Sequence, residues 1–337
     1  MSAPGGAFTA LVVGAGAVGA RAARQLQAGG AQVLVVEPDL PARGRVVDAL
    51  GAGVRGVDGG LPAVLDGTGP VPDVAVLAQP AGDHADLVSS LLERGIPAVS
   101  TSDAVEDVEA LLALDERARA AGVAVAVGAG FSPGFSCLLA VHAAELLERV
   151  TEVHVARVGT GGPACARQHH RALGGEAVDW RDGEWQRRSA GSGRELCWFP
   201  DPVGGRDCYR AALPDPLLLV GVFPGVGRVT ARLAATRRDR LTSRLPMLRP
   251  PHADGGPGAI RVEVRGEQAG GGTATIVYGA MEVPSMATAA VAAVAAEVLA
   301  SGQARRNGAA GLGELLDPLA TLRTLADRGT KAAAFTG

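Results

Sequence analysis

The sequence predicts an α/β protein: a doubly wound parallel sheet comes first, followed by an α+β second domain with a largely antiparallel sheet. Three observations carry that expectation. The run Leu11-Val-Val-Gly-Ala-Gly-Ala-Val-Gly19, followed by Val33-Leu-Val-Val-Glu37, reads as a strand, a glycine turn, a helix and a second strand ending in an acid. Apolar runs then alternate with helical stretches as far as Val127. From Thr151 onward the grammar changes to alternating, β-rich runs separated by loops.

Within the first turn the glycines have separable jobs. Gly14 permits the tight exit from the strand, Gly16 lets the backbone approach a pyrophosphate, and Gly19 lets the helix pack close to the sheet. Ala17 and Val18 begin that helix, whose free N–H groups suit phosphates. Glu37 follows Gly14 by 23 residues, where a carboxylate can accept from adenosine ribose hydroxyls. A 2′-phosphate would be repelled there, so the expected cofactor is NAD. Arg43 and Arg45, either of which could fold back towards such a phosphate, leave NADP open. The competing reading is a glycine-rich turn in a nucleotide-free fold, in a chain with 48 glycines.

The remaining elements of this Rossmann-type unit follow in order. Residues 43–50 form a short amphipathic helix, 53–57 a short strand, 71–77 a buried parallel strand, and 83–93 a helix stopped by Gly95. Residues 96–100 give another strand, 104–120 one helix with acids early and arginines late, and 123–127 the last strand. Pro133 and its neighbouring glycines interrupt the chain before a helix over 135–149 crosses to the second domain. There, strands are expected over 152–158, 228–236, 259–267 and 273–282, with Gly270-Gly-Gly272 turning between the last two. A helix is expected over 164–173, loops or short strands over 174–209, and helices over 285–299 and within 311–327. The expected division is a dinucleotide-binding domain 1–134, a substrate and dimerisation domain 135–283, and C-terminal helices 284–337 returning to the first domain.

Bulk properties narrow the function. A chain of 337 residues is long enough for about two cores. With 32 basic and 35 acidic residues it has no field that suggests nucleic acid or an anionic membrane. The longest apolar run, 287–296, is too short to span a bilayer, and residues 8–13 serve as a strand, not a signal core, so a cytoplasmic protein is expected. Cysteines 137, 165, 197 and 208 make no CxxC pair; reduced thiols and no metal are expected.

In an open α/β sheet the ligand lies beyond the C-terminal strand ends. Three loops reach that edge. Gln79 and Pro80 are candidates to frame the nicotinamide ribose and ring, against an ordinary turn; Thr101 and Ser102 either bind the nicotinamide amide or cap a helix; Gly130, Phe131, Ser132 and Pro133 lie on the third loop. His84 is either an early helix residue or a nicotinamide contact. In the second domain Arg167 and His170 are three apart on one helical face, a pair that could bind a carboxylate and move a proton, or merely sit at an interface. Arg206 and Tyr209 form a second such candidate pair, and Arg228 a further carboxylate ligand. Arg237, Arg238 and Arg240 read as a solvated rim. Hydride transfer needs no protein nucleophile, so the lack of an obvious triad is no objection.

Together, Val13-Gly-Ala-Gly-Ala-Val-Gly19, Leu77-Ala-Gln-Pro80 and Gly128-Ala-Gly-Phe-Ser-Pro-Gly-Phe135 resemble the saccharopine dehydrogenase or saccharopine reductase family. The resemblance implies that Gly130, Ser132, Pro133 and Gly134 form the interdomain turn, and that the C-terminal helices return to the first domain. It also implies NAD(P)-dependent oxidation of a secondary amine or reduction of an imine in a small, amino-acid-like substrate. A carbonyl or hydroxyl dehydrogenase is the competing enzyme, because the fold supports either chemistry. A catalytically inactive dinucleotide sensor is the competing non-enzyme. A homodimer formed through the open face of the second sheet is expected.

Overall fold

The computed structural model describes residues 8–66, 70–247 and 250–334. In chain order the first unit runs β1 (Thr9–Val13), α1 (Gly19–Ala28), β2 (Gln32–Val36), α2 (Leu40–Leu50), β3 (Val54–Gly56), α3 (Gly60–Leu65), β4 (Val74–Leu77), α4 (His84–Leu92), β5 (Ala98–Ser100), α5 (Val105–Leu112), α6 (Asp115–Ala120) and β6 (Ala124–Val127). After α7 (Phe135–Ala144) come β7 (Arg149–Val158), α8 (Pro163–Gly174), β8 (Glu176–Arg181), β9 (Glu184–Ser189), β10 (Glu195–Phe199), β11 (Gly204–Arg210), α9 (Asp215–Leu219), β12 (Arg228–Ala234), α10 (Arg237–Thr242), β13 (Gly258–Glu267) and β14 (Thr273–Glu282). The chain then returns through α11 (Pro284–Ala300), β15 (Gly308–Gly311), α12 (Leu312–Leu315), α13 (Pro318–Asp327) and β16 (Ala332–Ala334).

The first sheet is wholly parallel, in the order β15-β6-β5-β4-β1-β2-β3. Its central strands are mostly apolar because helices cover both faces, so Ala10, Leu11 and Val12 are all inaccessible to solvent. Strand order reverses between β1 and β4, and a crevice opens there at the C-terminal strand ends. The second sheet runs β10-β11-β12-β7-β13-β14-β16, with β8 paired to β12 and β9 to β8; every pairing is antiparallel except β12 with β7.

Three departures from the sequence expectation have local causes. The single helix over 104–120 breaks at Leu114, which turns into the core while Asp115 meets Arg306 of the returning segment at 2.8 Å. The crossing helix stops at Ala144, because Arg149 already belongs to β7 and pairs with Glu267 of β13. Gly308-Ala-Ala-Gly311 is a buried strand against β6 although it holds no β-branched residue. Helix α11 has no polar face because it packs on α1, β4 and β5, with α13 beyond. No helix among the described residues is long and apolar enough to cross a membrane.

The burial contrast sets a stability prediction. Leu11→Ala, in the centre of β1, should cost about 2–5 kcal/mol in urea denaturation, whereas Leu40→Ala, at a side chain 61% exposed, should stay within about 0.5 kcal/mol. Equal effects would contradict the strand's central position.

Candidate active site

At the β1/β4 crevice lies a cleft of about 960 Å³, walled by the glycine turn, the ends of β2 and β4, and the start of α8. The turn's residue types follow from its packing. A Cβ on Gly14, whose φ is +99°, would stand 2.8 Å from the Gln79 backbone nitrogen; one on Gly19 would stand 1.8 Å from the Gly14 carbonyl oxygen. At Gly16 a Cβ would meet nothing within 4 Å, so this position faces open cleft. No side chain caps α1, which leaves its N-terminus available to an anion. Ala17 and Val18 line the cleft beside it.

Glu37 stands at the cleft's edge, its Oε2 accepting from the Ala15 N–H at 2.8 Å and its Oε1 from the Asp39 N–H at 3.0 Å. The Gln79 side-chain amide donates to Asp83 at 3.3 Å, while its Oε1 is buried without a hydrogen-bond partner, and Pro80 lies next to it on the wall. These features fit a dinucleotide: a backbone surface for the diphosphate, an acid for a ribose, and an unpaired amide acceptor further in. Arg43 is committed elsewhere, donating to the Val57 carbonyl at 2.6 Å and pairing with Asp58.

Val18, Gly161 and Cys165 belong both to this cleft and to a smaller inner cavity of about 80 Å³. Thr101, Gly130, Phe131, Ser132, Pro133 and Thr288 form much of its wall. Four polar groups complete the wall: Asp103 from the loop after β5, Arg157 from β7, and Cys165 and His169 from α8. Arg157 Nη2 lies 3.1 Å and His169 Nε2 3.3 Å from Asp103 Oδ2, and Cys165 Sγ is 3.5 Å from His169 Nε2. Arg157 Nη1 also donates to the Ser132 carbonyl, whereas its Nε is buried without a hydrogen-bond partner.

Burial alone would push the Asp103 carboxyl up, but Arg157 and His169 outweigh it and hold it below the usual carboxylate value. Burial and Arg157 disfavour the His169 imidazolium; Cys165 and Asp103 overcome both and raise its pKa. Cys165 is pushed up by burial and brought back below the ordinary thiol value by His169. Behind Ser132 lies Asp215, accepting from the Ser132 and Ser136 hydroxyls at 2.8 Å each, with its carboxyl raised by burial.

Several residues expected from sequence lie elsewhere. Ser102 is buried and donates to Asp107 at 2.7 Å, supporting the start of α5 and not the cleft. Thr101 lines the inner cavity and donates to the Leu77 carbonyl at 3.0 Å. His84 is held between Ser100 Oγ and the Gln79 carbonyl, with burial lowering its pKa, so it braces the Gln79 loop. Arg167 is exposed on the outer cleft wall. His170 points the other way round α8 to the Leu245 carbonyl at 2.8 Å. Tyr209 is buried under the Arg240 guanidinium, Arg206 is exposed beside its own Gly205 carbonyl, and Arg228 lies opposite Glu152 on the β12–β7 pair; none of these three lines the cleft. Arg237 and Arg238 are exposed on α10, away from the cleft.

The residues missed were Asp103, Arg157, Cys165 and His169. Two signals point to them. Arg157 is in phase with the inward-facing Val153 and Val155, an arginine in a core register. Cys165 and His169 are four apart on one helix, so they share a face that His170 does not.

No protein-family model matches the chain, and no curated protein matches its sequence. Among solved structures, apo saccharopine dehydrogenase (L-Glu forming) from Saccharomyces cerevisiae superposes with a TM-score of 0.69 at 15% identity, over 98% of this chain and 100% of that one. GenD2 from gentamicin A biosynthesis, in complex with NAD, gives 0.51 at 16% identity, over 100% and 98%. A myo-inositol dehydrogenase from Corynebacterium glutamicum gives 0.51 at 13%, over 98% and 99%. At these identities the likeness is one of fold alone: the two-sheet architecture is shared with these three structures.

The cleft geometry predicts selective thiol chemistry. Iodoacetamide should alkylate Cys165 ahead of the buried Cys137, Cys197 and Cys208, as read by peptide mass spectrometry. His169→Gln should slow that reaction several-fold at pH 7 and move its pH midpoint upward. An unchanged profile would show that the imidazole does not act on the thiol.

Proposed function

We propose that this chain is an NAD(P)-dependent oxidoreductase acting on a carbon–nitrogen bond of a small, amino-acid-derived substrate, by imine reduction or secondary-amine oxidation. One observation carries the reading: the cleft beside a glycine turn suited to a diphosphate shares Val18, Gly161 and Cys165 with the inner cavity lined by the buried Asp103–Arg157–His169–Cys165 group. NAD is preferred over NADP, because Glu37 occupies the ribose position and Arg43 is tied to Val57 and Asp58.

When bound, the nicotinamide donates or accepts the hydride. This chain's own residues do the rest. Arg157 is fixed by its hydrogen bond to Ser132 and its ion pair with Asp103, and its Nε and Nη2 have no hydrogen-bond partner, so it is placed to hold a substrate carboxylate. His169 Nε2 carries the proton that the substrate nitrogen gains or loses, and Asp103 stabilises the resulting imidazolium. Thr101 and the 130–133 segment complete the wall around these groups and limit the access of water. Because the same fold carries either chemistry, a requirement for amine in turnover separates the carbon–nitrogen reading from a carbonyl or hydroxyl substrate. We also propose a homodimer through the open face of the second sheet, on which Met281 is exposed; a monomer mass in light scattering would remove it.

NADH oxidation should require both an amino acid and a 2-oxo acid or aldehyde. His169→Gln should lower kcat on the order of 10²–10⁴-fold, and Arg157→Met should lower kcat/KM by roughly 30-fold, about 2 kcal/mol. Gly16→Ala should leave the melting temperature unchanged and weaken dinucleotide binding, since its Cβ would project only into the cleft. Turnover with the carbonyl compound alone would replace this reading with the hydroxyl-dehydrogenase one.

A further inference from the structure

We infer that Asp103, Cys165 and His169 form a binding site for a soft divalent cation, Zn²⁺ being the ion their chemistry fits, and that the ion blocks the reaction site. The inhibitory half of this inference rests on the function proposed above; the binding half does not. One ligand atom from each of the three residues lies within 4.8 Å of the others. Tetrahedral zinc with one sulfur, one nitrogen and one oxygen ligand at about 2.0–2.3 Å needs ligand-to-ligand edges of about 3.3–3.6 Å. The observed edges are 3.5 Å from Cys165 Sγ to His169 Nε2 and 3.3 Å from His169 Nε2 to Asp103 Oδ2. Two of the three edges therefore already match a zinc tetrahedron, and the third, from Cys165 to Asp103, lies within 4.8 Å.

The donors are also held in place. Cys165 and His169 are four residues apart on the twelve-residue helix α8, and Asp103 sits on the loop after β5, so the ion would bridge the two sheets' domains. A thiolate, an imidazole and a carboxylate favour zinc over magnesium or calcium, which demand oxygen donors. Three protein ligands leave a fourth position for water or substrate, as in an open zinc site. The opposing observation is Arg157, whose Nη2 is 3.1 Å from the same Asp103 oxygen. Its other terminal nitrogen is tied to the Ser132 carbonyl. Arg157 can therefore stay while Asp103 turns an oxygen to the ion.

Occupancy would take Nε2 of His169, the atom assigned to proton transfer, and the Cys165 sulfur. Zinc should therefore inhibit turnover reversibly, with activity restored by EDTA.

The test uses chelator-treated full-length protein titrated with Co²⁺, whose absorbance reports ligand type and geometry. A thiolate-to-cobalt charge-transfer band with visible tetrahedral bands is expected, absent in Cys165→Ser. Equimolar Zn²⁺ should also slow iodoacetamide alkylation of Cys165 by about tenfold or more in the wild-type protein, a readout that needs no variant to fold. Absence of the thiolate band, its persistence in Cys165→Ser, or unprotected Cys165 would each overturn the site. If the band and protection appear but metal-free protein turns over no amine and carbonyl pair, the cation site stands and the functional reading fails. If turnover occurs and saturating Zn²⁺ leaves it unchanged, the inhibitory role is overturned.

Discussion

A guanidinium buried between two sheets is the constraint on which this molecule turns. Arg157 is 5% exposed, and its charge is compatible with the interior only where its partners stand. Those partners, Asp103 and the Ser132 carbonyl, belong to loops at the C-terminal edge of the first sheet, while Arg157 belongs to the second. Separating the two sheets at this point would strand a charge on each side. The ion pair thus sets how far apart the cleft walls stand, and with them the distance between the glycine turn and α8.

The backbone around that pair is shaped to let it form. A Cβ on Gly134 would come within 2.5 Å of the Gly130 nitrogen, so the segment between the sheets folds tightly on itself and presents the Ser132 carbonyl to Arg157. The Ser132 and Ser136 hydroxyls then satisfy one oxygen of Asp215, which would otherwise be a bare buried acid. The first crossing has the same logic. Gly19 lies so close to Gly14 that helix and strand touch through backbone atoms, which moves the helix N-terminus up to the cleft.

Local pattern and long-range geometry divide what was legible in the sequence. Of the first six strands, all but β3 are legible from a short buried apolar run flanked by turn residues, and the glycine spacing locates the cleft. Asp103 lay within a loop already placed at the sheet edge but was passed over for Thr101 and Ser102, since nothing local announces that an arginine 54 positions later meets it. His170 was favoured over His169 because pairing with Arg167 used the three-residue spacing; the productive face is the one shared with Cys165. Strand β15 was missed because its four residues are only glycine and alanine, and its place beside β6 is decided by tertiary packing.

That last strand has a consequence for how the molecule comes into being. A chain emerging from the ribosome N-terminus first finishes β1 to β6 long before α11 and β15 exist. Until residues 284–311 arrive, the side of α1, β4 and β5 that α11 covers has no lid, and β6 is an open edge. The sheet that begins the chain is therefore among the last parts to be completed. During synthesis its apolar face is an exposed, sticky surface of the kind chaperones guard, and the region most easily recognised from sequence cannot mature as a separate piece.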